Sequence, residues 1–378
     1  MPVTTDAPKL SILHVLTLNG CNGEYGGPVR VARELCSELN FRGHATHIFS
    51  GARKGSEPIP KPGLTESFVL VKPILQKRPV SSLWSWKLIR PLNKLIENAD
   101  VIHIHFARDL VPFLAALLSI LKKKPFVTQT HGMIISDGRL NTTIIDLFLT
   151  RPLLNKAETN LVLTQIELLS ISKLGIKSPT EILPNGIAVD YTKEFSRKSG
   201  KFVAFCSRLD KRKGVSNFIG LAESFKTSGM KFEIYGPDGG ELELVQNEIQ
   251  IRNLRNILEY KGALPPDQVK EVLNRIDLLV LPSRNEPFPM VILESLAVGT
   301  AVLVMPSCGL ARDLSEFNEL YVSKTEDLEG LRKNLTLLME SSSSDTERSL
   351  IQEFCRKKFG ITKVCANLVD VYQRMQRI

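Results

Sequence analysis

The run Ile276-Asp-Leu-Leu-Val-Leu-Pro282 limits the fold of this chain more than any other segment. It is too short for a long helix and lacks the polar alternation of a half-exposed strand, so it predicts a strand buried on both faces, as in a parallel sheet. Met290 to Val298 then predicts the helix that follows. Between them stands Ser283-Arg-Asn-Glu-Pro-Phe-Pro289. Glu286 therefore falls in the loop at the strand's C-terminal end, and Glu294 about one turn into the helix. In an open α/β sheet the ligand crevice lies outside such strand ends, where helix N-termini also attract anions. Two carboxylates there can accept hydrogen bonds from the hydroxyls of a polyol. On the spacing alone, a solvated loop residue and a helix-face charge fit the pair equally well.

The same pattern recurs upstream. Phe202-Val-Ala-Phe-Cys206 predicts a short buried strand, followed by Ser207-Arg-Leu-Asp-Lys-Arg-Lys-Gly214 and an amphipathic stretch from Val215 to Phe225. Arg208 and Lys213 thus lie in a strand-to-helix loop. Cations at the head of a helix oppose its macrodipole, a conflict that a bound phosphate would remove. Further strands are expected at 231–235, 256–260 and 301–304, separated by helical stretches.

The N-terminal half opens with a strand, Leu10 to Leu16, then an Asn- and Gly-rich loop from Leu18 to Pro28, then a helix from Val29 to Phe41. Its glycines do not match the dinucleotide fingerprint. Gly26 and Gly27 lack side chains and would let backbone amides approach a ligand, unless they form a simple tight turn. Ala99 to His105 and Phe126 to Gly132 predict two more strands. His131 ends the second beside a glycine and points toward a crevice. His103 and His105 are read as taking opposite faces of their strand, one in the core and one at the rim.

At 378 residues, with 43% hydrophobic and 24% charged residues, the chain suits two globular domains. The longest apolar stretch, Leu110 to Leu121, falls short of the roughly 18 residues of a membrane span, and it ends in Lys122-Lys-Lys124. Met1-Pro-Val-Thr-Thr-Asp-Ala7 shows no basic-then-apolar secretory pattern, so a cytoplasmic location is expected. The six cysteines form no Cys-x-x-Cys pair and no zinc spacing with histidine. The net charge of +9 concentrates between residues 72 and 124, where ten Lys or Arg face three Asp or Glu. Both tryptophans, Trp84 and Trp86, lie there among Leu83, Leu88, Ile89, Leu92, Leu95 and Ile96. A helix with Trp and Leu on one side and cations on the other fits an anionic membrane surface and an ordinary core helix alike. No nucleic-acid reader motif accompanies the charge, so nucleic acid is not an expected partner.

Tyr25-Gly-Gly-Pro28, Thr130-His-Gly132, Leu183-Pro-Asn-Gly-Ile187, Ser207 to Gly214, Ile234-Tyr-Gly-Pro237, Lys261-Gly-Ala263 and the Glu286 to Glu294 segment occur in an order and spacing that resemble glycosyltransferase family 4 across nearly the whole chain. The resemblance implies a GT-B fold, two Rossmann-like domains facing a cleft: an acceptor-binding domain 1–190, a nucleotide-sugar-binding domain 191–360 joined by a polar linker Thr192 to Lys201, and a helix 361–378 crossing back to the first. Asp345 to Ile378 reads as a helical tail after the Ser341 to Ser344 loop.

The implied activity is retaining, metal-independent transfer of a hexosyl group. The substrate would be a UDP-sugar or GDP-sugar, with no separate cofactor and no metal. Arg208 and Lys213 would neutralise the departing diphosphate, Glu294 would hold the ribose, and Glu286 would orient the sugar. Amides of Phe288, Met290 and Val291 would assist, those of Gly262 and Ala263 would face the base, and Gly26, Gly27 and His131 would meet the donor from the first domain. The chain departs from the family at Pro287-Phe288-Pro289, where many relatives carry glycines; two prolines remove two amide donors and stiffen the loop. The acceptor is expected to be a saccharide, lipid-linked, as in bacterial surface polysaccharide or lipopolysaccharide assembly, with the protein peripheral at the inner membrane face. A membrane-surface scaffold without turnover, a sugar-nucleotide epimerase and a phosphorylase remain as alternatives, although no cofactor-binding lysine arrangement supports the last.

Overall fold

The computed structural model of the chain describes residues 8–21, 26–75, 80–134, 140–189, 201–265, 267–340 and 344–376. Tyr25, Asp190, residues 192–200 of the linker and Ser341 to Ser343 lie outside them. The chain divides into two units, one of residues 1–186 with 361–378 and one of 187–360.

The first unit is built on a seven-stranded sheet. Its strands are β1 (Ser11–Leu18), β2 (Ala45–Ala52), β3 (Thr65–Leu70), β6 (Val101–His105), β7 (Phe126–Gln129), β8 (Thr159–Val162) and β9 (Thr180–Ile182), in the order β3-β2-β1-β6-β7-β8-β9. Every pairing is parallel. A separate antiparallel ribbon pairs β4 (Lys72–Pro73) with β5 (Leu83–Trp84). The second unit carries a five-stranded parallel sheet of β10 (Phe202–Cys206), β11 (Lys231–Tyr235), β12 (Leu258–Gly262), β13 (Leu278–Leu281) and β14 (Ala301–Val304), ordered β12-β11-β10-β13-β14.

Both sheets are doubly wound. The chain moves outward from β1 through β2 and β3, then returns to place β6 on β1's other side; in the second unit it moves from β10 through β11 and β12, then places β13 beside β10. The reversals make topological switch points at β1/β6 and β10/β13, where ligand crevices of such sheets open at the C-terminal strand ends. One device repeats at both. The Asp100 side chain accepts from the Ser11 amide at 2.7 Å while the Asp100 amide donates to the Ser11 carbonyl. Asp277 does the same with Phe202, at 2.8 Å and 2.9 Å. Each aspartate pins the start of the two strands that flank its switch point.

Several expectations need correction. Trp84 and Trp86 lie outside the α-helix: Trp84 ends the ribbon strand β5, Trp86 opens a short 3-10 turn, Trp86–Leu88, and the α-helix Ile89–Asn98 follows directly. Leu88 at the end of that turn and Leu92 and Ile96 of the helix are fully buried, so the helix is a core element. The helical tail forms two helices, Asp345–Phe359 and Ile361–Gln376, parted at Gly360. The second packs in the first unit, where Cys365 Sγ contacts the Leu35 carbonyl and the Arg42 guanidinium donates to the Thr362 carbonyl at 2.5 Å. β12 spans Leu258–Gly262, two residues later than expected, and a bulge at Lys261 shifts its register against β11 near its C-terminal end.

Candidate active site

At the β10/β13 switch point two loops are knitted together. After β10, Lys211–Lys213 forms a single 3-10 turn whose cap, Asp210, accepts from the Arg212 amide at 3.0 Å. Gly214 then adopts φ 74°, and a Cβ there would stand 2.2 Å from the Pro282 carbonyl oxygen. Only glycine permits that approach. The Arg284 amide donates to the Arg212 carbonyl at 3.1 Å and the Ser283 hydroxyl to the Lys213 carbonyl at 3.4 Å. A third loop, after β14, completes the cradle: Ser307 Oγ accepts from the Asn285 amide at 3.0 Å, and the Glu286 carbonyl from the Gly309 amide at 2.8 Å.

These constraints place Lys213 Nζ 2.6 Å from Glu286 Oε2, with side chains 17% and 18% exposed. The carboxylate thus already offsets the charge of Lys213 beside the helix Val215–Ser224, the conflict for which a phosphate was invoked. Arg208 is exposed and makes no ion pair among the described residues. Glu294 is buried in the helix Met290–Ala297, capped by Pro289. Met290 and Val291 occupy its first turn, whose N–H groups have no intrahelical acceptor. The Phe288 side chain turns into the core against Phe359, with ring centroids 6.2 Å apart, so only its backbone is available to a ligand. Gly262 ends β12 at φ 84°, its carbonyl accepting from the Gly236 amide at 2.9 Å, and Ala263 is exposed just beyond.

In the first unit Gly26 and Gly27 are neither turn nor loop; they begin the helix Gly26–Phe41, which follows β1. Among the described residues, no atom beyond its chain neighbours and its own helix backbone lies within 4 Å of a Cβ built on Gly27. His131 follows β7 at φ 50°, before Gly132 at φ 73°; the left-handed backbone is costly for His131, not for glycine, and persists where surrounding structure fixes it. The fixing group is Glu167. Its Oε1 accepts from Thr130 Oγ1 and the Gly132 amide, both at 2.5 Å, and its Oε2 accepts from the Leu163 amide at 2.7 Å. Burial pushes this carboxyl above its ordinary pKa against those three hydrogen bonds.

His103 and His105 are not on opposite faces. Two residues apart on one strand, they share a face, and their rings stack at 4.7 Å. His14 of β1 joins them at 4.6 Å from His103, and His105 Nδ1 lies 2.7 Å from His131 Nε2. Burial holds all four imidazoles below their ordinary pKa, His103 to about 4 and His131 to about 3. His14 and Glu167 were absent from the sequence expectations. Thr164-Gln-Ile-Glu167 does have capping-box spacing, and Thr164 accepts from the Glu167 amide at 3.3 Å, but the carboxylate takes the amide of Leu163, one residue before the cap, with Oε2 and reaches across to the β7 loop with Oε1.

A chain with two doubly wound parallel sheets, each presenting polar and charged side chains at a switch point, has the architecture of the GT-B fold. Glycosyltransferase Family 4 matches residues 25–191 and Glycosyl transferases group 1 matches residues 190–354; the chain belongs to these group 1, family 4 glycosyltransferases. A glycosyltransferase of Methanocaldococcus jannaschii is 27% identical over 74% of this chain and 76% of its own length. The N-acetyl-alpha-D-glucosaminyl L-malate synthase of Bacillus anthracis is 22% identical over 94% of this chain and 96% of its own. Among solved structures, Anabaena HepE in complex with UDP superposes with a TM-score of 0.75 at 15% identity, covering 96% of this chain and 99% of that one. HepE has also been solved with UDP-glucose, with a TM-score of 0.72.

Proposed function

We propose that this glycosyltransferase moves a hexosyl group from a UDP-sugar or GDP-sugar to a saccharide acceptor, with retention and without a metal. The observation that carries the reading is the cradle at β10/β13, where Lys213 pairs with Glu286, exposed Arg208 stands in the same loop after β10, and the helix bearing Glu294 follows β13. In the reaction the acceptor oxygen bonds to the anomeric carbon as the bond from that carbon to the diphosphate oxygen breaks. The bonding pair leaves with the phosphate, and the acceptor's proton passes to a departing phosphate oxygen on the same face. Arg208 and Lys213 stabilise the charge that develops there, the role a divalent cation takes in other transferases. Glu286 both holds Lys213 and accepts from sugar hydroxyls, and Glu294 accepts from the ribose.

The lipid-linked acceptor is supported by a different feature. A groove of about 800 Å³ in the first unit is lined by Leu70, Ile74, Trp84 and Trp86, with Lys54, Lys72 and Lys87 among its walls. Trp86 is 78% exposed. Exposed indole beside lysines suits the boundary between acyl chains and phosphate headgroups. Through this groove the protein would act peripherally, at the cytoplasmic face; no helix among the described residues is long and apolar enough to cross a membrane.

The test is a metal-free thermal-shift panel of nucleoside diphosphates and their sugars on wild type and Glu294→Ala. A ligand that binds only the folded state raises the midpoint. One nucleotide family should shift the wild type and lose its effect in the variant; no shift with any nucleotide sugar would overturn the reading. NMR of the anomeric product decides retention.

A further inference from the structure

Four of the six histidines gather on one face of the first unit's sheet at its switch point. In-register pairing of β1 with β6 sets His14 opposite His103. His103 stacks on both His14 and His105, and its nitrogens are taken up by the Tyr372 hydroxyl at 2.6 Å and Gln129 Oε1 at 3.2 Å. The other three form a line: His14 Nδ1 to His105 Nε2 at 3.1 Å, and His105 Nδ1 to His131 Nε2 at 2.7 Å. Their ring centroids are 5.4 Å and 5.0 Å apart. In both pairs the centroid separation exceeds the N···N distance by the span of two ring radii, so the nitrogens lie on the line between ring centres and the hydrogen bonds are nearly straight. His14, His103 and His105 also offer nitrogens within 4.8 Å of one another. Stacked rings, however, aim their in-plane lone pairs side by side instead of toward one metal, and two of these nitrogens are spent on each other.

A neutral imidazole carries one proton, on one nitrogen. Along a line of three such rings the choice is therefore common to all: every ring is protonated at Nδ1, or every ring at Nε2. The far end decides. His14 Nε2 is buried without a hydrogen-bond partner among the described residues, and the backbone groups of proteins show that a buried N–H left without an acceptor is rarer than an under-satisfied acceptor. The first arrangement leaves only a bare lone pair there.

We propose that His14 and His105 are positioning residues whose line of hydrogen bonds fixes His131 as an Nδ1–H donor, aimed at a substrate oxygen. The inference rests on the reading of this chain as a sugar transferase in which His131 meets substrate. It adds how the imidazole is oriented and which atom it presents. Burial keeps all four rings neutral near neutral pH, as the counting of protons requires. Holding one tautomer in advance removes the cost of selecting it during the reaction.

Two measurements on the full-length protein test this. Nitrogen-15 NMR of histidine-labelled wild type reads each tautomer without any substrate; His14, His105 and His131 should all carry the proton on Nδ1. Kinetics of His105→Phe and His105→Asn then read the consequence, since asparagine can still donate from the Nδ1 position whereas phenylalanine cannot. His105→Phe should lose about tenfold in kcat/KM, the worth of one oriented hydrogen bond, and His105→Asn should recover most of it. An Nε2 proton on His131, or a mixture, overturns the relay whatever the kinetics. A uniform Nδ1 tautomer with unchanged kcat/KM in His105→Phe overturns instead the placement of His131 against substrate, and the positioning role falls with it.

Discussion

Lowering the pH should unfold the first unit well before ordinary acid denaturation. His14, His103, His105 and His131 are neutral in the fold because burial penalises their charged forms. In the unfolded chain each titrates near its ordinary value of about 6.5. Their folded pKa values are depressed, so the unfolded state binds more protons, and the stability present above about pH 6.5 is lost as pH falls. Each ring contributes a loss of about 1.4 kcal/mol per pH unit below that value. With His103 held to about 4 and His131 to about 3, the loss from these two runs down to at least pH 4. Four rings together remove about 5 kcal/mol per pH unit, comparable with the whole stability of a domain. The transition should therefore centre between about pH 4.5 and 6. Trp84 and Trp86 both belong to this unit, so their emission reports it alone. Urea melts at stepped pH give the proton uptake from the slope of stability against pH. These four rings should contribute close to four protons to the uptake, with His44 and His47 adding to it and the raised carboxyls of Asp109 and Glu167 subtracting from it, and His103→Phe should reduce it by one. Uptake below two protons, or native emission persisting at pH 4.5, would refute the reasoning.

Two substitutions probe the second unit. Gly214→Ala adds a Cβ at φ 74°, 2.2 Å from the Pro282 carbonyl oxygen; the left-handed backbone and the overlap together cost about 3 kcal/mol. Calorimetry should show its transition lowered by about 6–12 °C, with weakened nucleotide binding because Lys213 is displaced; a midpoint within 2 °C of wild type would show that the loops yield freely. Lys213→Met and Glu286→Gln each break a pair whose side chains are 17% and 18% exposed, so each should lower kcat/KM at least tenfold. The double variant should lose less than the product of the two losses; strictly multiplicative losses would mean that the pair does not act as a unit.

Much of the fold was legible because parallel strands buried on both faces are written as short apolar runs. Phe202 to Cys206 and Ala301 to Val304 could be read directly, and the strand-to-helix order then placed Arg208, Lys213 and Glu286 at strand ends. The Trp region misled for a physical reason. Trp84, Leu88, Leu92 and Ile96 recur every four residues, so the helical phase runs backward past its true start. The break is local: Ser85 is extended at φ −157° and its hydroxyl accepts from the Lys87 amide, ending the ribbon and capping the turn. A serine there is common enough to carry no warning. The Lys213–Glu286 pair spans 73 residues and the His14–His105 pair 91, and such partners are chosen by sheet order, which local periodicity does not encode.

Sheet order also explains why chemistry gathers where it does. At a switch point the neighbouring strands send their following helices to opposite faces, so the loops above them diverge and leave a gap that neither helix fills. The repeated aspartates, Asp100 and Asp277, set the register of the two strands beside that gap from the opposite end. Register fixed at the start of a strand is carried rigidly to its finish, because a one-residue slip would turn every buried side chain to the other face. The β1/β6 register that seats His14 against His103, and the β10/β13 register that brings Lys213 to Glu286, thus depend on carboxylates outside both sites. Replacing either aspartate by alanine should loosen its own sheet's site first, and hydrogen exchange at the amides of Ser11 or Phe202 would detect it.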